Sequence, residues 1–140
     1  MQTLGASSIL NASVREAVAE AQESAGRGYD VVIDASGSSE ARQMAFDFCR
    51  PAGQVVLLGM GAQRSEISFV PSIRKEHRVV MSFAYTPMDF KRALDLLIAN
   101  EIDLTPWTIR MPLARGQEAL ERMTRNPGPA LKMMLEVTAS

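Results

Sequence analysis

The sequence predicts an α/β protein, a parallel sheet with crossover helices, and three observations carry that prediction. Short β-branched runs recur as YDVVI at 29–33, QVVLL at 54–58 and RVVMSF at 78–83. The first two are apolar without alternation, as strands buried on both faces are. Between the runs lie segments with apolar residues at helical spacing, and Gly26, Gly28, Pro51, Gly53, Gly59 and Gly61 punctuate the joints. Strands that alternate with helices build parallel sheets.

Each element has its own signal. Ser13 to Ser24 reads as a helix, with Val14, Ala17, Val18 and Ala21 in phase and Ser13 with Glu16 as a capping box. Gly26 and Gly28 stop it. Tyr29 to Ile33 is the first strand. Ser39 to Cys49 is the next helix, with Ala41, Met44, Ala45 and Phe48 on one face. Pro51 and Gly53 break the chain before the strand Gln54 to Leu58. Arg78 to Phe83 is a third strand. Pro87 to Ala99 is an amphipathic helix whose inner face is Phe90, Ala93, Leu94, Leu97 and Ile98. WTIRMPL, 107–113, reads as a strand, Gly116 to Arg125 as a helix, and Lys132 to Val137 as a closing strand.

Composition narrows the function classes. With 140 residues the chain can bury a single core. Fifteen basic against sixteen acidic residues give no pull toward nucleic acid or an acidic membrane. No apolar run is long enough to span a bilayer, and the N-terminus has no basic region followed by an apolar stretch, so neither anchor nor signal peptide is expected. The lone Cys49 excludes an internal disulfide and fits a reducing cytoplasm. Cys49 and the single His77 are too few for a zinc site built from Cys and His. Cys49 falls on an apolar helix face and reads as a core thiol. His77, between Glu76 and Arg78, reads as solvated, and one isolated histidine defines no catalytic triad. Open parallel sheets bind ligands at the carboxyl ends of their strands. Here those ends are Ala35-Ser36-Gly37 and Gly59-Met60-Gly61, small residues suited to close backbone approach.

Taken as an ordered set, four stretches resemble the medium-chain dehydrogenase superfamily of zinc-type alcohol, polyol and threonine dehydrogenases. GYDVVIDASGSSEARQMAFDFCRPAGQVVLLGM resembles the family's second-half Rossmann unit. SFAYTPMDFKRALDLLIANEIDLTPWTI resembles its next strand and the helix leading out of the cofactor domain, and LARGQEALERMTRNPGPALKMMLEV its C-terminal helix and strand. MQTLGASSILNAS resembles the family's A-x-x-LGA stretch and the strand after it. The likeness implies a partial Rossmann-like sheet lacking the first βαβ unit. It also implies one partial nucleotide-binding domain over 1–140, with 105–140 leading back toward the catalytic domain. The family's G-x-G-x-x-G loop, zinc ligands and proton relay have no counterpart in the sequence.

The resemblance also implies roles, and each has a plainer structural alternative. Ala35, Ser36 and Gly37 match the turn against the adenine and ribose side of NAD or NADP; the alternative is a helix-entry turn. Leu58, Gly59 and Met60 match the strand end beside the nicotinamide ring; the alternative is strand termination. Phe83 and Ala84, between Ser82 and Tyr85, match the strand whose backbone holds the carboxamide. Polyol dehydrogenases often carry Arg between that Phe and Tyr, and Ala84 in its place argues against a polyol. The same strand, near 78–85, pairs with its twin across a dimer in the family, so a homo-oligomer is implied. Lys132 matches the basic residue that reaches the pyrophosphate, or is a surface lysine. Asp34 matches a structural position. No catalytic residue is assigned, and zinc is expected only in the missing domain.

Three readings follow. The first is the C-terminal cofactor-binding portion of an NAD(P)-dependent zinc-type alcohol or polyol dehydrogenase, inactive alone. The second is a non-catalytic half-Rossmann module that dimerises or binds a partner, with apolar faces left uncovered. The third is a methyltransferase-like domain, which YDVVID also resembles. It would need an early glycine-rich loop that the first thirty residues do not contain.

Overall fold

The strands follow the apolar runs closely. The computed structural model describes residues 5–137. Their contacts divide the chain into two compact units, Met1–Tyr85 and Thr86–Ser140.

In the first unit, α1 (Arg15–Ser24) leads to β1 (Tyr29–Asp34), α2 (Ser39–Phe48), β2 (Cys49–Leu57), a short α3 (Phe69–Arg74) and β3 (Arg78–Met81). The strands form one parallel sheet in the order β1-β2-β3. α2 lies against β1 and β2, where Ala45, Phe46, Cys49 and Val55 make a buried core joined by Val32, Leu57 and Ile67. Truncating the largest of these, Phe46, to Ala is expected to cost about 3–5 kcal/mol, the range for such changes in well-packed cores. Burial pushes the Cys49 thiol up from its ordinary pKa, against the opposing pull of Lys75 and Arg50, which suits a packed rather than a reactive sulfur.

Several details differ from the sequence reading, each for a physical reason. Met1 to Leu4 lie outside the described residues, and Ile9 and Leu10 form no strand. α1 begins at Arg15, and its N-cap, Val14, makes no side-chain cap bond. The Ser13 amide instead donates to the Asn11 side chain at 3.0 Å, so a local turn replaces the capping box. β1 is not buried on both faces: Val31 is 53% and Ile33 59% exposed. A continuous apolar run is covered twice only inside a sheet, and β1 borders the described one. β2 starts at Cys49 rather than Gln54, because Pro51 and Gly53 do not end it. The register jumps from Tyr29 opposite Cys49 to Val31 opposite Gln54, so a bulge absorbs them. α3 gave no sequence signal. Six residues with Pro71 inside hold fewer than two helical turns, too few for an apolar stripe to repeat, and Pro is tolerated because it sits in the first turn. His77 is half-buried rather than fully solvated. Its Nδ1 lies 2.9 Å from Ser72 Oγ and its Nε2 3.2 Å from the Cys49 carbonyl. A carbonyl only accepts, so Nε2 carries the proton and Ser72 donates to Nδ1.

In the second unit, α4 (Pro87–Ile98) precedes β4 (Thr108–Pro112), α5 (Gly116–Arg125) and β5 (Lys132–Glu136). β4 and β5 form a separate two-stranded parallel sheet, with Thr108 opposite Lys132. The buried apolar residues of this unit are Met111 on β4, Ala119 on α5 and Ala130 just before β5. Thr86 and Asp89 cap α4 reciprocally, with Pro87 at the first helical position. The expected inner face of α4 is exposed: no residue of the helix is buried, and Ile98 is 70% accessible.

Candidate functional site: the carboxyl ends of β1, β2 and β3

Asp34 ends β1 and organises everything after it. Its carboxylate Oδ1 accepts from the Ser36 amide at 3.0 Å, the Ser36 hydroxyl at 3.1 Å and the Gly37 amide at 2.9 Å. Its main-chain carbonyl accepts from the Leu58 and Gly59 amides, both at 2.9 Å. One residue therefore folds the β1 turn and ties it to the end of β2. Ser38 then caps α2 by accepting from the Ala41 amide. This matches the structural role read for Asp34.

The two turns interlock through their glycines. A Cβ on Gly59 would overlap the Gly37 amide nitrogen and the Ser36 carbonyl carbon. A Cβ on Gly37, whose φ is +74°, would overlap Gly59 and the Gly61 amide nitrogen. The Ala62 amide donates to the Gly37 carbonyl at 2.8 Å. The glycines thus admit each other's backbone, a requirement that motif reading cannot supply.

Arg42, on α2, was not singled out by sequence. Its guanidinium donates to the Gly59 carbonyl at 3.1 Å, the Ala62 carbonyl at 2.8 Å and Ser65 Oγ at 2.7 Å. Its Nε lies 3.7 Å from Asp34 Oδ2. That oxygen is buried without a hydrogen-bond partner, so the contact is one of charge. A useful signal was available: an arginine in phase with the small apolar residues of a core-facing helix needs a partner for its charge.

The structure brings Ala35, Ser36, Gly37, Leu58, Gly59 and Met60 together at adjacent strand ends. β3 joins them, since the Ser82 amide donates to the Leu57 carbonyl at 3.0 Å. Phe83 follows, 80% exposed, and Ala84 adopts a left-handed φ of +54°. A cavity of about 430 Å³ opens here, lined among others by Leu58, Gly59, Met60, Met81 and Ser82. A second, of about 630 Å³, runs along Asp34, Ala35 and Ser36 toward Met44 and Phe48 of α2. Lys132 belongs to the other unit. It starts β5 and lines a cavity of about 670 Å³ with Asp103, Thr105 and Arg110.

These residues fit one part of a dinucleotide better than another. Apolar side chains and strand-end backbone around the first cavity suit a flat aromatic ring with an amide group. The glycines there are filled by neighbouring backbone, so they offer no vacant phosphate cradle. Among the described residues, no cluster of His, Cys, Asp and Glu could ligate a metal. Among the described residues, no helix is long and apolar enough to cross a membrane.

Comparison with known proteins agrees with this geometry. The profile of the zinc-binding dehydrogenase family matches residues 1–99. The uncharacterized zinc-type alcohol dehydrogenase-like protein YdjL of Escherichia coli strain K12 is 30% identical over 122 residues, 86% of this chain and 34% of that protein. A probable D-xylulose reductase A of Arthroderma otae is 45% identical over 106 residues, 74% of this chain and 29% of that protein. The crystal structure of an alcohol dehydrogenase from E. coli CFT073 complexed with NADH superposes with a TM-score of 0.80, at 20% identity, over 95% of this chain and 39% of that one. L-idonate 5-dehydrogenase of E. coli K-12 gives a TM-score of 0.70 at 29% identity, over 81% of this chain and 33% of that one. The chain spans about a third of the length of these curated relatives. The sheet, its Rossmann-like order of strands and helices, and the family profile over most of its length place it: the chain belongs to the zinc-binding dehydrogenase family.

Proposed function

We propose that this chain is the cofactor-side portion of an NAD(P)-dependent zinc-type alcohol or polyol dehydrogenase, and that the ends of β2 and β3 hold the nicotinamide half of the cofactor, with the end of β1 toward its adenosine side. The observation that carries the reading is the joining of three parallel strand ends into one platform, β1 to β2 by Asp34, the interlocked glycines and Arg42, and β2 to β3 by the Ser82 amide. Ligands of open parallel sheets sit at that end. The NADH complex of a structural neighbour and the reductase names of the relatives supply the chemical class.

When bound, nicotinamide exchanges hydride with an alcohol or carbonyl carbon. The chain's own residues position it. Leu58, Met60 and Phe83 offer apolar surface to the ring and exclude water from it. Backbone groups near Ser82 to Ala84 reach its carboxamide. Ala35, Ser36 and Gly37, at the end of β1, take the side of adenine and ribose. Residues 105–140 lead back toward the catalytic part, which carries any zinc. Ala84 leaves no guanidinium between Phe83 and Tyr85, so the reading names no particular polyol or sugar. A reduced, buried Cys49 fits a cytoplasmic enzyme.

A specific observation favours self-association as well. β3 borders the sheet with every residue exposed, Met81 at 81%. Two copies pairing along this edge would satisfy its open backbone and cover its apolar side chains. Calorimetric titration of the purified chain with NAD and NADP tests the cofactor reading. The expected result is saturable binding with a Kd on the order of 1 mM, as befits half a site, and no turnover of alcohols. No heat from a folded chain at that concentration, or turnover by the chain alone, overturns it.

A further inference from the structure

We infer that Arg42 is the positioning residue of the strand-end platform, setting the loop that presents Gly59 and Met60; this rests on the cofactor reading above. Residues 59–65 lie between β2 and α3 and contain neither helix nor strand. The loop therefore lacks a ladder to satisfy its carbonyls. Arg42 supplies that need. Among the described residues, the hydrogen bonds of its guanidinium go to this loop: to the carbonyls of Gly59 and Ala62 and the hydroxyl of Ser65. Its remaining charge faces the nearly inaccessible Asp34 carboxylate, which folds the β1 turn.

Docking of α2 does not explain this arrangement. Ala45 and Phe46 already seat the helix in the core. A guanidinium whose side chain is 15% exposed is costly unless every partner is in place. Its planar fork reaches two carbonyls and a hydroxyl at once, and a lysine ammonium cannot reproduce that fork. Met60, between Gly59 and Gly61, is 77% exposed. It has no packing of its own to hold it at the cavity, so its place is set by the loop's anchors.

The test compares the unsubstituted chain with Arg42→Met, Arg42→Lys and the milder Ser65→Ala, which removes one anchor only. Amide hydrogen exchange is read at 59–65 and across β1, β2 and β3. NADH is then titrated while the amide shifts of 58–60 are followed. In Arg42→Met, loop amides are expected to lose protection while strand amides keep theirs, and the initial slope of shift against NADH to fall at least about tenfold, the scale of charged hydrogen bonds lost. Arg42→Lys should restore part of the slope, and Ser65→Ala should fall between. Retained loop protection in Arg42→Met overturns the inference, as does an unchanged NADH slope beside a freed loop. If Arg42→Met fails to fold, Ser65→Ala decides by the same two readouts. If the unsubstituted chain shows no NADH shifts, the cofactor reading fails, and loop exchange alone still decides whether Arg42 sets the loop.

Discussion

Gly59 and Gly37 are the residues on which the site turns, because neither tolerates a Cβ without moving the other's backbone. Gly59→Ala is expected to cost at least about 2 kcal/mol in urea unfolding, the scale of overpacking against atoms that cannot retreat. Gly61→Ala should cost less, since its Cβ would meet only the Ser36 carbonyl oxygen at 2.8 Å and Gly37 atoms at 3.2 Å. Equal costs at the two positions would contradict the interlock. The glycines were legible in the sequence as small residues at strand ends. Their mutual contact was not, because it joins positions far apart in the chain. Arg42 was missed for a similar reason: two of its partners are carbonyls, which have no letter in a sequence, and Ser65 is distant from it in the chain. His77 was misread because charged neighbours suggest solvent, whereas the fold turns its ring toward Ser72 and Cys49.

Among the elements, periodicity served best where an element was long. α2, α4 and α5 fall within a residue of where their apolar spacing puts them, and β1, β3, β4 and β5 follow their apolar runs. It failed where length or local chemistry intervened, as in the six-residue α3 and the bulged start of β2. α4 provides a test of pH. Hydrogen bonds from the Thr86 amide, first, and the Thr86 hydroxyl hold the Asp89 carboxyl below its ordinary pKa. A depressed folded pKa contributes stability that is present above the unfolded value and lost as pH falls through the folded one. Circular dichroism should therefore show the start of α4 fraying on acidification below the normal carboxylate range, and Asp89→Asn should flatten that dependence. An Asp89→Asn chain with the same acid profile would rule the cap out as its cause. β3 provides a second test. Val80→Lys puts a charge on the exposed edge, which natural edge strands use to prevent pairing. Light scattering should show the unsubstituted chain as a dimer and weaken that dimer at least about tenfold in the variant. A monomer in both cases contradicts pairing along β3.

At the scale of the whole molecule, the order of the strands and the longer helices was legible from sequence and sheet membership was not. Apolar runs reveal that five strands exist; they do not reveal that β4 and β5 form their own sheet. Nor does helical spacing disclose what covers a face, and α4 shows an apolar stripe with no buried residue. Exposed apolar surface of this kind on β1, β3 and α4 belongs to a chain spanning about a third of its curated relatives. The central claim is that the ends of β2 and β3 receive the nicotinamide end of a dinucleotide. Its most direct test is an amide-resolved titration of the 140-residue chain with NADH and, separately, with adenosine diphosphate. The account predicts that NADH shifts the amides of Leu58, Gly59, Met60 and Phe83, and that adenosine diphosphate leaves these four in place. Shifts confined to other surfaces, or the same four moving equally with adenosine diphosphate, would contradict it.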